Sequence, residues 1–422
     1  MNVRATAVTF AVALAFRLMH ASVLWVEEAY PAAGAINILA GRLPYLDFWY
    51  DKPPLTPLLY MLWGALDGLP LRIAGAAYVT LCAWLAARLA GSWIAGALLA
   101  FFLTFDFASA VLPLGPDLLT LAPVMAAVLM RDRPWIAGAL IGVAFHFNVK
   151  AILFLPVVFS PRAALAFFGV AAPVFAVPGY VEQVWKWGSL YARDAPAADG
   201  FAKTAGWMGF HAGLLLAALR SKPDRWIWLW LAAAAACAIL GLRFFPRYYF
   251  HLLPPLCVLA GRALATPTRW RWTLALLAIP LIRFAPGYWN VERSRDLALF
   301  RDAREAAKVI AETALPGDTL FIWGYRPEID VMTRLPGGTP FLESQPLTGV
   351  FADRHLTSAK PSADGAAHRA RLAQSRPTFV VDGLARLNPQ LSITNYADLR
   401  DWLARYRVIA LTRSSVIYRI RD

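Results

Sequence analysis

Two runs of this chain concentrate residues that can do chemistry. The first, VEEAYPAAGAINILAGRLPYLDFWYDKPPL, places Glu27 and Glu28 next to each other and adds Asp47 and Asp51 about twenty residues on. Neighbouring residues on a helix point about 100° apart, so only one of the two glutamates can face a common centre and act as a base, leaving the other as its structural partner. Acidic residues at a helix end are commonly just solvated. Here the paired prolines after Asp51-Lys52 stiffen the approach and present Asp51 from a fixed turn. The second run, GLRFFPRYYFHLLPP, carries Arg243, Arg247, Tyr248, Tyr249 and His251. Basic side chains interleaved with aromatics at the end of an apolar segment suit a phosphate head group whose lipid tail lies in the bilayer. Taken alone, interfacial Arg and Tyr also serve as membrane anchors.

Single residues extend both sets. Asp117, in LPLGPDLLTLAP, opens an apolar segment, where a carboxylate costs about 2.5–3.5 kcal/mol at mid-membrane and so belongs in a polar cavity or at a helix N-cap after Gly115-Pro116. Lys150, in GVAFHFNVKAIL, adds a cation. His146 and His251 are metal-ligand types, although a lone His on an apolar helix is more often a core residue, and His251 is the better candidate. Cys82, Cys237 and Cys257 lie in apolar stretches without metal-ligand spacing or a disulfide framework. The chain has no Walker loop, no HExxH and no GxSxG, which leaves nucleotide hydrolysis, zincin proteolysis and elbow-type serine hydrolysis without motif support.

The elements that must hold these groups are membrane helices. Of 422 residues, 59% are hydrophobic and 16% charged, against about 45–50% and 25% in a soluble domain. The net charge of +14 is scattered singly between apolar runs rather than gathered on an aromatic-lined face, which excludes a nucleic-acid partner. Ala5 to Trp25 reads as a retained span, since Arg17 interrupts it and no small-residue cleavage site follows. Ten more apolar segments, near 71–89, 92–111, 117–130, 134–148, 150–160, 163–178, 207–220, 226–241, 248–263 and 271–284, bring the expected count to about eleven transmembrane helices. A cytoplasmic N-terminus puts Arg88, Arg131, Arg133, Arg162, the RSKPDR turn and Arg262, Arg269 and Arg271 inside, as the positive-inside rule requires. That holds when Pro54 to Asp67 lies in the outer interface without spanning. The outer loop 26–70, the loop from Gly179 to Gly206 and everything after residue 284 then fall outside the membrane on the extracytoplasmic side.

The expected organisation is therefore an integral membrane domain over 1–284 and a small extracytoplasmic α/β domain over 285–422. In the latter, SRDLALFRDAREAAKVIAET and NYADLRDWLARY read as helices, DTLFIWG, TFVVDG, RVIALT and SSVIYRI as strands, and Leu335 to Gly365 as a long loop.

These residues resemble a family. The acidic pair after the first span, G-x-x-P-Y-x-D-F-x-x-D-K-P-P-L, the lone Asp opening a later span, G-x-x-x-G-x-x-x-x-x-x-x-K and R-x-x-x-R-Y are together similar to the GT-C-type membrane glycosyltransferases. The nearest groups are bacterial protein O-mannosyltransferase-like enzymes and lipid A aminoarabinose transferases, over about 5–265 and most specifically over 26–60. The resemblance implies a GT-C-like bundle in a bacterial-type inner membrane that takes a sugar from a polyprenyl-phosphate carrier and passes it to an extracytoplasmic lipid, glycan or protein acceptor. It implies that Glu27 stands at the catalytic acid position, where the family usually writes Asp, with Glu28 as its neighbour and Asp117 as the second-loop acid. Asp47, Asp51, Lys52, Lys150, Arg243, Arg247, Tyr248 and His251 would bind substrate, and Tyr191, Arg193 and Asp194 would bound the acceptor side. Some relatives hold a divalent metal, Mg, Mn or Zn, near the positions of Asp51 and His251. A flippase or transporter of lipid-linked sugars is the rival reading. It would often show an internal repeat with broken helices at mid-membrane, which is not found, and the polar residues here concentrate at one face.

Overall fold

A computed structural model of the chain describes residues 3–193, 197–265, 271–289, 295–358 and 365–421. Asp194 and Arg269 lie outside the described residues. The chain divides into two compact units, one of Met1–Ser22, Lys52–Thr56 and Gly68–Val291, the other of Val23–Asp51, Pro57–Asp67 and Glu292–Asp422. The outer loop thus contributes to both: Glu27 to Asp51 belong with the C-terminal residues, while Lys52 belongs with the helices.

The first unit is a helical bundle. Val3–Leu18, Leu69–Ala90, Trp93–Phe102, Leu121–Leu129, Pro134–Phe145, Pro161–Ala171, Arg225–Ile239, Leu253–Leu264 and Arg271–Phe284 are α-helices, and Val149–Val158 and Pro246–Leu252 are 3-10 helices. Among the described residues only Leu69–Ala90, 22 residues long, is by itself long and apolar enough to cross a bilayer. Pro161–Ala176 and Val181–Arg193 would make a second span if the pair, bent by 103°, is counted as one. The other apolar segments are shorter helices or strings of helices: Pro116, Pro134, Pro161 and Pro246 each start a helix, and the 117–130 segment is shared by Pro116–Leu119 and Leu121–Leu129. Small residues set the packing distance. A Cβ added to Gly138 would lie 2.0 Å from the Ala163 carbonyl oxygen, so the helices Pro134–Phe145 and Pro161–Ala171 meet backbone to backbone.

The second unit is built on a four-stranded sheet of β1 (Leu320–Trp323), β2 (Phe379–Asp382), β3 (Tyr406–Leu411) and β4 (Val416–Ile420), in the order β1-β2-β4-β3. β1 and β2 run parallel in the register Leu320 to Phe379, and the two β4 pairings are antiparallel. The helix Arg295–Ala311 lays Ala303, Ala306 and Ile310, spaced three and four apart, into a core with Leu320, Ile322, Phe379, Val381 and Ile417. One buried carboxylate fastens the edge hairpin: Asp302 accepts from Thr412 Oγ1 at 2.6 Å, Ser414 N at 2.7 Å and Ser415 Oγ at 2.7 Å, with Arg326 at 3.3 Å. The strands and first helix lie where the sequence pattern sets them. The NYADLRDWLARY segment is shorter than expected, a 3-10 turn and the helix Arg400–Leu403, and the 335–365 stretch contains the buried helix Gln345–Thr348.

The packing at Gly138 can be tested directly. Gly138→Ala should lower the melting temperature of the detergent-solubilised protein by several degrees, as overpacking of roughly 1–3 kcal/mol would. Gly169→Ala, on the facing helix with nothing within 4 Å, should leave it unchanged or raise it. Equal melting temperatures for the two variants would contradict the close approach.

Candidate functional site

In the first unit the structure draws four of the expected residues into one cluster. Gly115 is extended and Pro116 starts the helix, which sets Asp117 in its first turn. The Asp117 side chain caps nothing there. It is 8% exposed, its Oδ1 accepts from Asn148 Nδ2 at 2.8 Å, and its Oδ2 lies 3.5 Å from Arg247 Nε. Asn148 is the N-cap of Val149–Val158, and its Oδ1 accepts the Lys150 backbone N–H at 3.1 Å. Lys150 Nζ donates to the Cys237 carbonyl at 3.3 Å and stands 3.7 Å over the Tyr248 ring. Arg247 packs its guanidinium 5.1 Å from the Phe245 ring. Lys52 is within electrostatic range of Lys150. With Lys52 added to the four, three cations and one carboxylate lie near one another in the apolar bundle.

The other basic-segment residues are placed differently. Arg243 is 4% exposed, donates from Nη2 to the Tyr191 carbonyl at 2.9 Å and lies 4.0 Å over the Tyr191 ring. Its neighbours Leu242 and Phe244 have φ of 53° and 50°, left-handed conformations that bulky residues rarely adopt. His251 is buried against Phe154 at 5.3 Å, and among the described residues neither ring nitrogen has a hydrogen-bond partner. His146 bonds the Val170 carbonyl at 2.9 Å, as a core histidine does.

In the second unit Glu27 and Glu28 occupy the first turn of the helix Val26–Leu39 and separate as helix geometry requires. Glu28 is fully buried and turns back to accept the Trp25 N–H at 3.4 Å, while Glu27 is half-buried. Pro31 lacks the N–H that would close the helical ring onto the Glu27 carbonyl. Asp47 is exposed and closes a local turn by accepting Leu43 N at 2.7 Å. Asp51 is half-buried beside a group of phenols: its N–H donates to Tyr30 Oη at 3.3 Å, Tyr30 stacks on Tyr50 at 5.0 Å, and Tyr325 is 5.5 Å away. Burial, then the Asp51 and Glu343 carboxylates, push the Tyr30 phenol well above its usual range, and burial followed by Asp51 does the same to Tyr50. Both phenols are therefore neutral, and Tyr30 is the one that bonds Asp51.

Sequence reasoning missed several of these residues. Asn148 carries a local signal, an N-cap residue type two before the lysine. Tyr325 and Glu343 carry none, being about 300 residues from the loop they join. Arg42 is the fourth omission. It donates to Asn37 Oδ1 at 2.6 Å, the Gly337 carbonyl at 2.7 Å, the Asp47 carbonyl at 2.7 Å and the Thr339 carbonyl, so one guanidinium ties the loop before Asp51 to residues 337–339. Burial lowers its pKa. Asp330, near Arg42, is buried, and burial followed by Glu328 pushes its carboxyl up, against the pull of Arg42.

Asp51 and His251, the candidate metal ligands, fall in different units, and among the described residues no group of three or more His, Cys, Asp or Glu is placed to hold a metal ion. No step below is routed through one.

No protein-family model matches the chain, and no curated protein matches it. Among solved structures it is similar to ArnT from Cupriavidus metallidurans bound to undecaprenyl phosphate, with a TM-score of 0.58 at 15% identity over 99% of this chain and 98% of that one. The chain shares the ArnT fold. The apo ArnT structure aligns equally, with a TM-score of 0.57 at 14% identity over 98% and 97%. A looser likeness, TM-score 0.41 at 14% identity over 89% of this chain and 68% of that one, is to the Archaeoglobus fulgidus oligosaccharyltransferase in complex with Zn and sulfate. A helical bundle followed by a small C-terminal sheet, the coarse architecture expected from the sequence pattern, is the architecture found, and the likeness to the ArnT fold covers it.

Arg42 gives this site a test of its own. Arg42→Lys keeps the charge but cannot reproduce the fork, and should cost about 2–3 kcal/mol of local stability. Amide exchange over 37–49 and 337–341 should accelerate at least tenfold while β2 and β4 stay protected. Unchanged exchange would show that the guanidinium does not hold the loop.

Proposed function

We propose that the protein is a polyprenyl-phosphate-sugar-dependent glycosyltransferase that inverts the anomeric centre. The observation that carries this reading is the Lys150, Arg247 and Asp117 cluster inside an apolar bundle, in a fold shared with a protein crystallised with undecaprenyl phosphate. A lipid phosphate is the ligand that needs both features at once, since its head group needs cations and its tail an apolar surround. In this scheme about eleven apolar segments cross the inner membrane, the N-terminus is cytoplasmic, and the loop 26–70 and the domain 285–422 are extracytoplasmic.

The acceptor oxygen attacks the anomeric carbon, the bond from that carbon to the phosphate oxygen breaks, and polyprenyl phosphate leaves with the bonding pair. Glu27 takes the acceptor proton. Lys52, Lys150 and Arg247 offset the charge gained by the leaving phosphate, with Tyr248 and His251 beside them and Asp117 holding Arg247 in place. Glu28 fixes the helix start that presents Glu27. Asp51, backed by Tyr30, and Asp47 with its turn shape the sugar and acceptor side, and Arg243 holds the Tyr191 segment.

Purified protein in lipid, offered polyprenyl-phosphate sugars and nucleotide sugars side by side, should release polyprenyl phosphate from the lipid-linked donors only. Glu27→Gln should lower turnover by about 100- to 10,000-fold with donor affinity unchanged. Use of the nucleotide sugar, or full activity of that variant, would overturn the scheme. Vectorial movement of the lipid without turnover would replace it with transport.

A further inference from the structure

We infer that Asn148 is the positioning residue of the phosphate cluster, joining its two cations through a single amide. The inference rests on the donor reading above and adds a residue to it. Followed atom by atom, the contacts close a ring. Asn148 Oδ1 accepts from Lys150 N at 3.1 Å, Asn148 Nδ2 donates to Asp117 Oδ1 at 2.8 Å, and Asp117 Oδ2 faces Arg247 Nε at 3.5 Å. Arg247 is bonded through the chain to Tyr248, whose ring lies 3.7 Å under Lys150 Nζ. The amide orientation is settled by its partners, because the reverse would set the amide oxygen against the Asp117 carboxylate and the amide N–H against the Lys150 N–H.

The ring has a use that a helix cap alone does not. Lys150 and Arg247 repel each other, and Lys52 adds a third positive charge within range. Asp117 is the carboxylate seen holding Arg247, and it can do so in one orientation only while its other oxygen is occupied by a donor. Asn148 supplies that donor from the residue that also starts the 3-10 helix bearing Lys150. The spacing of the two cations, and so the place where a phosphate can meet both, is then fixed by one side chain. Only a group with a donor and an acceptor at that length can close the ring. Aspartate can cap the helix but cannot donate to Asp117 when ionised.

That difference separates positioning from capping. As an N-cap, Asp serves as well as Asn and Ala serves worst, so stability should follow Asn ≈ Asp > Ala. As a positioning residue, Asp is worst, because it adds a second carboxylate facing Asp117 and competing for the cations. The test is the affinity of the full chain in lipid nanodiscs for a polyprenyl monophosphate, measured beside its melting temperature. Asn148→Ala should weaken binding about tenfold and Asn148→Asp about a hundredfold, with the melting curves of both variants showing folded protein at the binding temperature. If Asn148→Ala does not fold, the Asn-to-Asp comparison alone decides. Wild-type binding that Asn148→Asp leaves intact would overturn the positioning role and leave the donor reading standing. No binding by the unmodified protein would overturn both.

Discussion

A lysine and an arginine held inside an apolar helical bundle must each be given an opposing charge, a carbonyl or an aromatic face, and much of the first unit's polar structure is organised around that requirement. Lys150 is met by the Cys237 carbonyl and the Tyr248 ring, Arg247 by Asp117. Each partner comes from a different segment: Pro116–Leu119, Arg225–Ile239 and Pro246–Leu252. The cations therefore fix how these helices sit against one another as much as the helices fix the cations.

The second unit meets the same constraint with backbone. Among the described residues the hydrogen-bond acceptors of Arg42 are Asn37 Oδ1 and the carbonyls of Asp47, Gly337 and Thr339. Carbonyls fixed by the chain leave the guanidinium no choice of geometry, and in return the loop between Asn37 and Trp49 is held at both ends. Trp49 completes the attachment by donating to the Pro340 carbonyl at 2.9 Å. Asp51, two residues further on, inherits that rigidity and has the Tyr30 hydroxyl at its own N–H.

Much of this was legible in the chain, for identifiable reasons. The strands of the C-terminal sheet are short apolar runs bounded by turn residues, and the helix Arg295–Ala311 shows its buried face at a spacing of three and four. These signals are local, and local signals survive into the fold. Helix boundaries were less legible, because hydropathy does not show where an apolar run breaks: 117–130 is shared by Pro116–Leu119 and Leu121–Leu129, and 207–220 breaks at His211. The site divides along the same line. Asp117, Lys150, Arg247 and Tyr248 stand out because charge is scarce in apolar sequence, and they do come together. Arg243 stands out equally and goes to Tyr191 instead, since spacing alone does not tell a ligand-facing arginine from one that anchors a loop. Asn148, Arg42 and Tyr325 did not stand out: a neutral amide, one arginine among many and a tyrosine about 300 residues further along the chain acquire meaning only from partners that the sequence does not bring near.

The adjacent glutamates show how structure can separate residues that sequence leaves equivalent. At the third position of a helix, a side chain that reaches back to the N-cap N–H must be glutamate or glutamine, because aspartate is too short for the return. Glu28 does this, and burial commits it to the task. The cap therefore accounts for a glutamate at 28 and places no demand on 27. Glu27 sits one residue earlier, about 100° round the helix and half-buried. One bond thus tells the two carboxylates apart: Glu28 owes its length to the helix start, and Glu27 takes no part in that cap.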